Sequence, residues 1–302
     1  MSFAFDVKAE LAQVTTRNDC CRLAQTYGML ELGHHFTGAD ITLQTENPAV
    51  AELYCEQIRA VCGVDKPAVR EYPRKKDYYI VRVPVTDCRR VLEQFGHTVD
   101  DLTVRLNRAN LDCDSCAAAY LRGAFLVAGS VTNPETDYHL EFSVPYYNLS
   151  RDLLQLLAEC GLNAKVVTRK GNYIVYLKDS EQVEDCLTLM GATASSLELM
   201  SVKMVKDIRN HTNRINNCEN ANIDKIVAAA SVHIQAIKKL MEAGVLDTLS
   251  PELQEAARLR YDNPEVSLRE LCEMFSEPVS RSGINHRLRR LVEIADQLKK
   301  KE

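Results

Sequence analysis

The sequence predicts an α+β chain with a duplicated αββαββα unit over its first two thirds and an all-α module at its C-terminal end. Three observations carry this. Four segments recur in the same order at an offset near 94 to 98 residues. Within each copy the apolar spacing switches between helical and strand periods. After Gly191 the recurrence stops and only helical periods remain.

The recurrence can be followed residue by residue. DCCRLAQTYGMLELG (19–33) matches DSCAAAYLRGAFLVAG (114–129), with Cys20 over Cys116 and Gly33 over Gly129. AELYCEQIRAVCG (51–63) matches SRDLLQLLAECG (150–161), each ending in Cys-Gly. DYYIVRV (77–83) matches NYIVYL (172–177), and DCRRVLEQFG (87–96) matches EDCLTLMG (184–191). Four matches in one order indicate a duplication. The expected copies are 1–100 and 101–195.

Within a copy, the first block is a helix, with Leu121, Ala124, Phe125 and Ala128 at helical spacing. A strand follows at 41–46 or 138–144. The next helix carries Leu153, Leu154, Leu156, Leu157 and Cys160 and is closed by Gly161. Strands at 165–170 and 172–178 flank Lys170-Gly171, which reads as a tight hairpin turn. A last helix covers about 180–190. A short strand near 129–132 completes αββαββα.

Past the repeats, 196–221 reads as a linker and 222–302 as a helical domain. Asn222 is expected to cap a helix that runs to about Ala243, with Gly244 as its stop. Ser250-Pro251 starts another, to about Tyr261, and Asn263-Pro264 ends it. In 267–275, Leu268, Leu271, Cys272 and Phe275 share one face. Pro278 then enforces a turn. The final helix starts near Ser280, with Ile284, Leu288, Leu291, Val292 and Ala295 inside. Two helices around a short turn, at about 267–299, form a helix-turn-helix.

The chain has 302 residues and a net charge of −5, with 46% hydrophobic and 26% charged residues. That balance excludes a protein that coats nucleic acid with its whole surface, but not a local basic patch. From Arg281 to Glu302 seven Lys/Arg face three acids. The N-terminus lacks a signal-peptide pattern and no window spans a membrane. A cytoplasmic, nucleoid-associated monomer is expected. The 11 cysteines read mostly as small buried hydrophobes of a reducing compartment. Cys113-x-x-Cys116 has a redox or zinc spacing, yet no second CxxC and no His pair at zinc spacing accompanies it. Core thiols are one reading; a site shared with Cys20 and Cys21 across the repeat is the other. No cofactor or metal is expected, and His34-His35 reads as a surface pair.

YLRGAFLVAGS (120–130) resembles the signature helix of the LAGLIDADG homing endonucleases. In that family two such helices pack through small residues. Each ends in an acid that holds a metal over DNA. The matching positions here are Leu32 and Ala128, and Glu31 is one residue off. A hard cation needs carboxylate oxygens, so the resemblance implies the fold without the nuclease. A wider resemblance is to the WhiA family, which joins a degenerate LAGLIDADG domain to a C-terminal helix-turn-helix. It rests on MSFAFDVKAEL (1–11), RGAFLVAGSVTNP (122–134), KDIRNHTNRINNCENANIDK (206–225) and VSRSGINHRLRRL (279–291). It implies a DNA-binding transcriptional regulator linked to cell division, chromosome segregation or sporulation, and not an enzyme.

The partner is then double-stranded DNA, with a protein regulator as a further candidate. A recognition helix presents its first turns to base edges. Arg grips guanine and Asn grips adenine in bidentate fashion, while Ser hydroxyls and helix N-termini suit phosphate. The candidate contacts are therefore Ser280, Arg281, Ser282, Asn285, His286, Arg287, Arg289 and Arg290. Lys206, Arg209, Asn213 and Arg214 are secondary candidates on a stretch that reads equally as a solvated connector. The basic runs Arg74-Lys75-Lys76 and Arg169-Lys170 are hairpin turns that either touch DNA backbone or are solvated. Two other functions stay open: a residual nuclease using Glu31 or Glu135, and a protein-interaction scaffold localised by its DNA-binding module.

Overall fold

The computed structural model describes residues 2–65, 67–72, 78–101 and 103–298. It divides into two compact units, Met1–Lys206 and Asp207–Glu302. The first opens with a helix that the sequence reading did not anticipate, α1 (Phe3–Ala12). It is held by buried Phe3, Val7 and Leu11.

Two copies of one topology follow. The first is α2 (Asp19–Glu31), β1 (His35–Phe36), β2 (Ile41–Thr45), α3 (Pro48–Cys62), β3 (Ala68–Tyr72), β4 (Tyr78–Arg82) and α4 (Val85–Gln94). The second is α5 (Asp114–Ala128), β5 (Gly129–Val131), β6 (Leu140–Val144), α6 (Tyr147–Glu159), β7 (Lys165–Arg169), β8 (Asn172–Leu177) and α7 (Ser180–Met190). Both sheets are antiparallel, with orders β1-β2-β4-β3 and β5-β6-β8-β7. The short strand expected near 129–132 is β5. The identical strand orders give the duplication its structural form.

Local chemistry accounts for the boundaries. Asn47 Oδ1 accepts from the N–H groups of Ala49 and Val50, with Pro48 behind it, and so starts α3. Asp179 does the same for α7 through Glu181 and Gln182. These caps satisfy N–H groups that a helix cannot pair internally. The β7–β8 turn has Lys170 and Gly171 both at positive φ, 50° and 84°. That is the backbone twist a two-residue hairpin needs. The basic run Arg74-Lys75-Lys76 lies outside the described residues.

The core of this unit is built around α2 against α5. A Cβ on Gly28 would lie 2.3 Å from the Tyr120 carbonyl oxygen, and one on Gly123 would lie 2.1 Å from that of Gln25. The two backbones therefore touch, as the resemblance to the LAGLIDADG signature helices implies. Buried Arg122 ties the seam, donating to Gln25 Oε1 at 2.9 Å and to the Met190 carbonyl at 2.9 Å. Tyr27, Tyr120, Phe125 and Phe142 are fully buried around it; burial of such a side chain contributes roughly 1.5–3 kcal/mol.

α8 (Thr193–Glu242) is one helix of 50 residues. The reading of 196–221 as a stretch apart, with a new helix capped by Asn222, is corrected: Asn222 lies inside α8. No Gly or Pro occurs between Thr193 and Glu242, and an interior Asn costs less than about 1 kcal/mol relative to Ala. The Asn-rich composition is therefore too weak a signal to end a helix. Glu10 of α1 starts α8 by accepting from the N–H groups of Ala194 and Ser195.

In the second unit, Ala236, Ile237 and Leu240 of α8 share a core with three further helices. These are α9 (Pro251–Asp262), α10 (Leu268–Cys272) and α11 (Arg281–Leu298). α10 is shorter than the expected 267–275. After Cys272 the chain tightens into i→i+3 bonds, Glu273 to Glu270 and Met274 to Leu271. The Ser276 N–H then goes to Glu255 Oε1 at 2.8 Å. Among the described residues no helix is long and apolar enough to cross a membrane.

Candidate nucleic-acid interface

α11 carries the primary candidates and its sequence divides them between faces. Ile284, Leu288, Leu291 and Ala295 are buried against α9 and α10. The opposite face presents Arg281, Ser282, His286, Arg289 and Arg290, all exposed, with half-buried Asn285 between them. Arg281, Asn285 and Arg289 succeed one another at four-residue steps, so they share one ridge. Arg281, His286 and Arg289 make no hydrogen bond or ion pair among the described residues. Arg290 is partly engaged by Glu293 at 2.9 Å.

The start of α11 is capped from within. The Gly283 N–H donates to Ser280 Oγ at 3.2 Å, and Ser280 Oγ lies 3.0 Å from Ser282 Oγ. The two hydroxyls and the free N–H groups of the first turn sit beside Arg281, a combination suited to an anion.

Arg287 stands differently from its neighbours. Its guanidinium lies 5.6 Å from the centre of the Phe275 ring and 3.5 Å from Glu252 Oε2, and its side chain is only 21% exposed. It braces α11 against α9 and the turn, on the flank of the outward ridge. Periodicity alone sets it with Arg289 and Arg290, because it does not tell flank from face.

Two supports of the motif were not anticipated. Ser267 and Glu270 form a reciprocal capping box at the start of α10, with bonds of 3.3 and 3.0 Å. The pattern S-x-x-E was visible in the sequence. Arg260 of α9 is buried and donates to the carbonyls of Asn263 at 3.2 Å and Val266 at 2.8 Å. It holds the loop that delivers α10, and no local pattern announces that role.

The secondary candidates separate. Lys206 Nζ donates to the Pro134 carbonyl at 2.7 Å and stacks 4.9 Å over the Tyr138 ring. Its charge is already used within the first unit. Arg209, Asn213 and Arg214 are exposed on α8.

At the ends of α2 and α5 lies a cavity of about 640 Å3. Leu32, Gly33, Ala128 and Gly129 line it, together with Lys8 and Glu46. Desolvation lowers the Lys8 ammonium to about 8, against the attraction of Glu46. A cation and two apolar side chains thus stand where the signature acids would hold a metal. Glu31 points away into the core. Its carboxylate oxygens accept from Tyr27 Oη at 2.8 Å and Tyr120 Oη at 2.6 Å. Burial pushes its carboxyl up to about 8, against those two hydrogen bonds. Glu135, the other acid considered, is exposed in the Thr132–Tyr138 turn.

Comparison with known proteins agrees with this architecture. The family described as WhiA LAGLIDADG-like domain matches residues 117–209, and that described as WhiA C-terminal HTH domain matches 212–295. A probable cell division protein WhiA from Desulforudis audaxviator is 40% identical over 309 residues, covering 99% of this chain and 98% of its own. One from Clostridium botulinum is 36% identical over 312 residues, covering 99% of each. A crystal structure described as "full-length DUF199/WhiA from Thermatoga maritima" is similar in fold, with a TM-score of 0.60 at 20% identity over 98% of this chain and 99% of that one. With full-length relatives above 35% identity, a LAGLIDADG-like duplication and a helix-turn-helix in one polypeptide, the chain belongs to the WhiA family.

Proposed function

We propose that this chain is a sequence-specific, non-nucleolytic regulator that binds double-stranded DNA through α11. It acts by transcriptional control in bacterial cell division, chromosome segregation or sporulation. The observation that carries the reading is the outward ridge of Arg281, Ser282, Asn285, His286 and Arg289 on a helix whose other face is buried in its own core. In the major groove, Asn285 and Arg289 are placed for base edges. Arg281, Ser280 and Ser282 serve phosphate, and Arg290 lies at the margin. Arg287 acts as a positioning residue that fixes the angle of α11. Arg209, Asn213 and Arg214 are proposed as auxiliary backbone contacts. The relatives' name, probable cell division protein, supports the process.

The non-enzyme reading is supported by Leu32 and Ala128 at the signature positions and by the burial of Glu31. Incubation of the full chain with plasmid and magnesium should leave the plasmid intact. Reproducible nicking that disappears in Glu31→Ala would overturn that part.

The binding test starts from a duplex selected by the full chain out of a random-sequence pool. Arg281→Ala with Arg289→Ala should weaken affinity on the order of 10- to 100-fold. The slope of log K against log salt should shrink by about 2, one counterion-releasing contact per arginine. The double variant should melt like the parent, because neither side chain packs. Arg287→Ala should instead lower the melting temperature. Unchanged affinity and salt slope in the double variant would remove α11 from the interface.

A further inference from the structure

Four cysteines meet where the two signature helices begin. Cys20 and Cys21 stand in the first turn of α2, Cys113 is the N-cap of α5, and Cys116 is its third residue. Cys113 Sγ lies 3.6 Å from that of Cys20, 3.5 Å from that of Cys21 and 3.5 Å from that of Cys116. The sulfurs of Cys21 and Cys116 are 3.9 Å apart. All four fall within 4.8 Å of one another, and no other cysteine joins such a cluster among the described residues.

These separations have a specific meaning. Four thiolates at about 2.3 Å from a tetrahedral zinc ion stand about 3.8 Å from one another. The observed edges bracket that value. A disulfide would draw a pair to about 2.05 Å, whereas the four thiols are free and the distances given are all 3.5 Å or more. The packing of the two equivalent helices brings these segments together, but apolar packing alone does not require four sulfurs at the edge lengths of one tetrahedron. The surroundings also suit an anionic centre. The Cys113 N–H points at Cys116 Sγ at 3.5 Å, and both helices direct their positive ends at the cluster. Cys21 and Cys116 are buried while Cys20 and Cys113 reach solvent, so an ion has a path in and the finished site is closed.

We propose that Cys20, Cys21, Cys113 and Cys116 form a tetrathiolate zinc site that staples the start of α2 to the start of α5. On binding, each thiol releases its proton to water as its sulfur–zinc bond forms, and no electron is transferred. The four ligands leave no open position, so the role is structural. This site lies at the opposite ends of the signature helices from the cavity lined by Leu32 and Ala128.

The test uses the full chain, purified under reducing conditions without chelator. Elemental analysis should give about one zinc per chain. Chelator-stripped protein given cobalt(II) should develop the sulfur-to-cobalt charge-transfer band and strong d–d absorption of a tetrahedral thiolate site. Stripping should lower the melting temperature on the order of 10 °C, and zinc alone should restore it. Cys21→Ser and Cys116→Ser should each lose zinc more than ten-fold, while Cys218→Ser, at an exposed position, should keep it. Should the core variants fail to fold, the cobalt spectrum and the chelator response of the parent chain decide by themselves. A zinc-free protein with four reactive thiols, iron in place of zinc, or a Cys113–Cys116 disulfide in the purified chain would each overturn the proposal.

Discussion

Gly123→Ala should destabilise the first unit by about 3 kcal/mol or more. The added methyl would stand 2.1 Å from the Gln25 carbonyl oxygen, a backbone atom of the facing helix. A flexible side chain could turn aside, but α2 can only be pushed away. Overpacking of this kind costs typically 1–3 kcal/mol, and more where backbone must move. The sign makes the test decisive. Within a helix, replacement of Gly by Ala normally stabilises by roughly 0.5–1 kcal/mol, so loss of stability can arise only from the neighbour. The expected drop in melting temperature is on the order of 10 °C, read by calorimetry. Gly28→Ala should do the same against Tyr120. The pair should cost less than the sum, because one displacement of the seam relieves both. An unchanged or raised melting temperature in Gly123→Ala would mean that the two helices do not approach as described.

The second large effect is a pH dependence centred on Glu31. Burial raises its carboxyl from an ordinary 4.5 to about 8. Between those values the native chain holds a proton that the unfolded chain has released. Stability therefore falls as pH rises through this window and levels off above it. The groups around it do not reverse the sign. Tyr27 and Tyr120 donate to the carboxyl, and Asp152 adds repulsion to its charged form. His97 Nε2 approaches to 3.8 Å, but burial lowers that imidazole as well. At neutral pH the approach is one between uncharged groups and not an ion pair. The Glu31 contribution across the window is a few kcal/mol. The lowered His97 imidazole works the other way below its ordinary range. The melting-temperature difference between the parent and a variant that cannot ionise at position 31 should therefore change by about 10 °C from pH 5 to pH 8. Glu31→Gln keeps an acceptor for one tyrosine and cannot ionise. Its curve should gain on that of the parent as pH rises and should cross above it near pH 8. Parallel curves for the two proteins would rule out Glu31 as the titrating group.

Much of the architecture was legible in the sequence because it is local or repeated. The hairpin at Lys170-Gly171, the Pro251 helix start and the inner stripe of α11 each follow from residues within a turn or two of one another. The duplication was legible because the same segments occur twice. Its αββαββα order emerged once the short β5 was counted. Where propensity alone was read it misled: the Asn-rich stretch from Asn210 to Asn222 is an uninterrupted part of α8, since weak helix formers do not end a helix without Gly, Pro or a competing cap.

By itself, then, the sequence determined the duplicated αββαββα plan and the helix-turn-helix, and its resemblance to the LAGLIDADG signature helices set Leu32 and Ala128 against the acid positions of that family. Only the tertiary structure decided which charges are free and which groups meet. It separated Arg287, held by Phe275 and Glu252, from Arg281 and Arg289 on the open ridge. It placed Glu31 between two tyrosines, one of them 89 residues away. It brought Cys20 and Cys21 to Cys113 and Cys116. The physical reason is the same each time: periodicity reports the face of an element, whereas ionisation, pairing and coordination depend on what another element lays against that face.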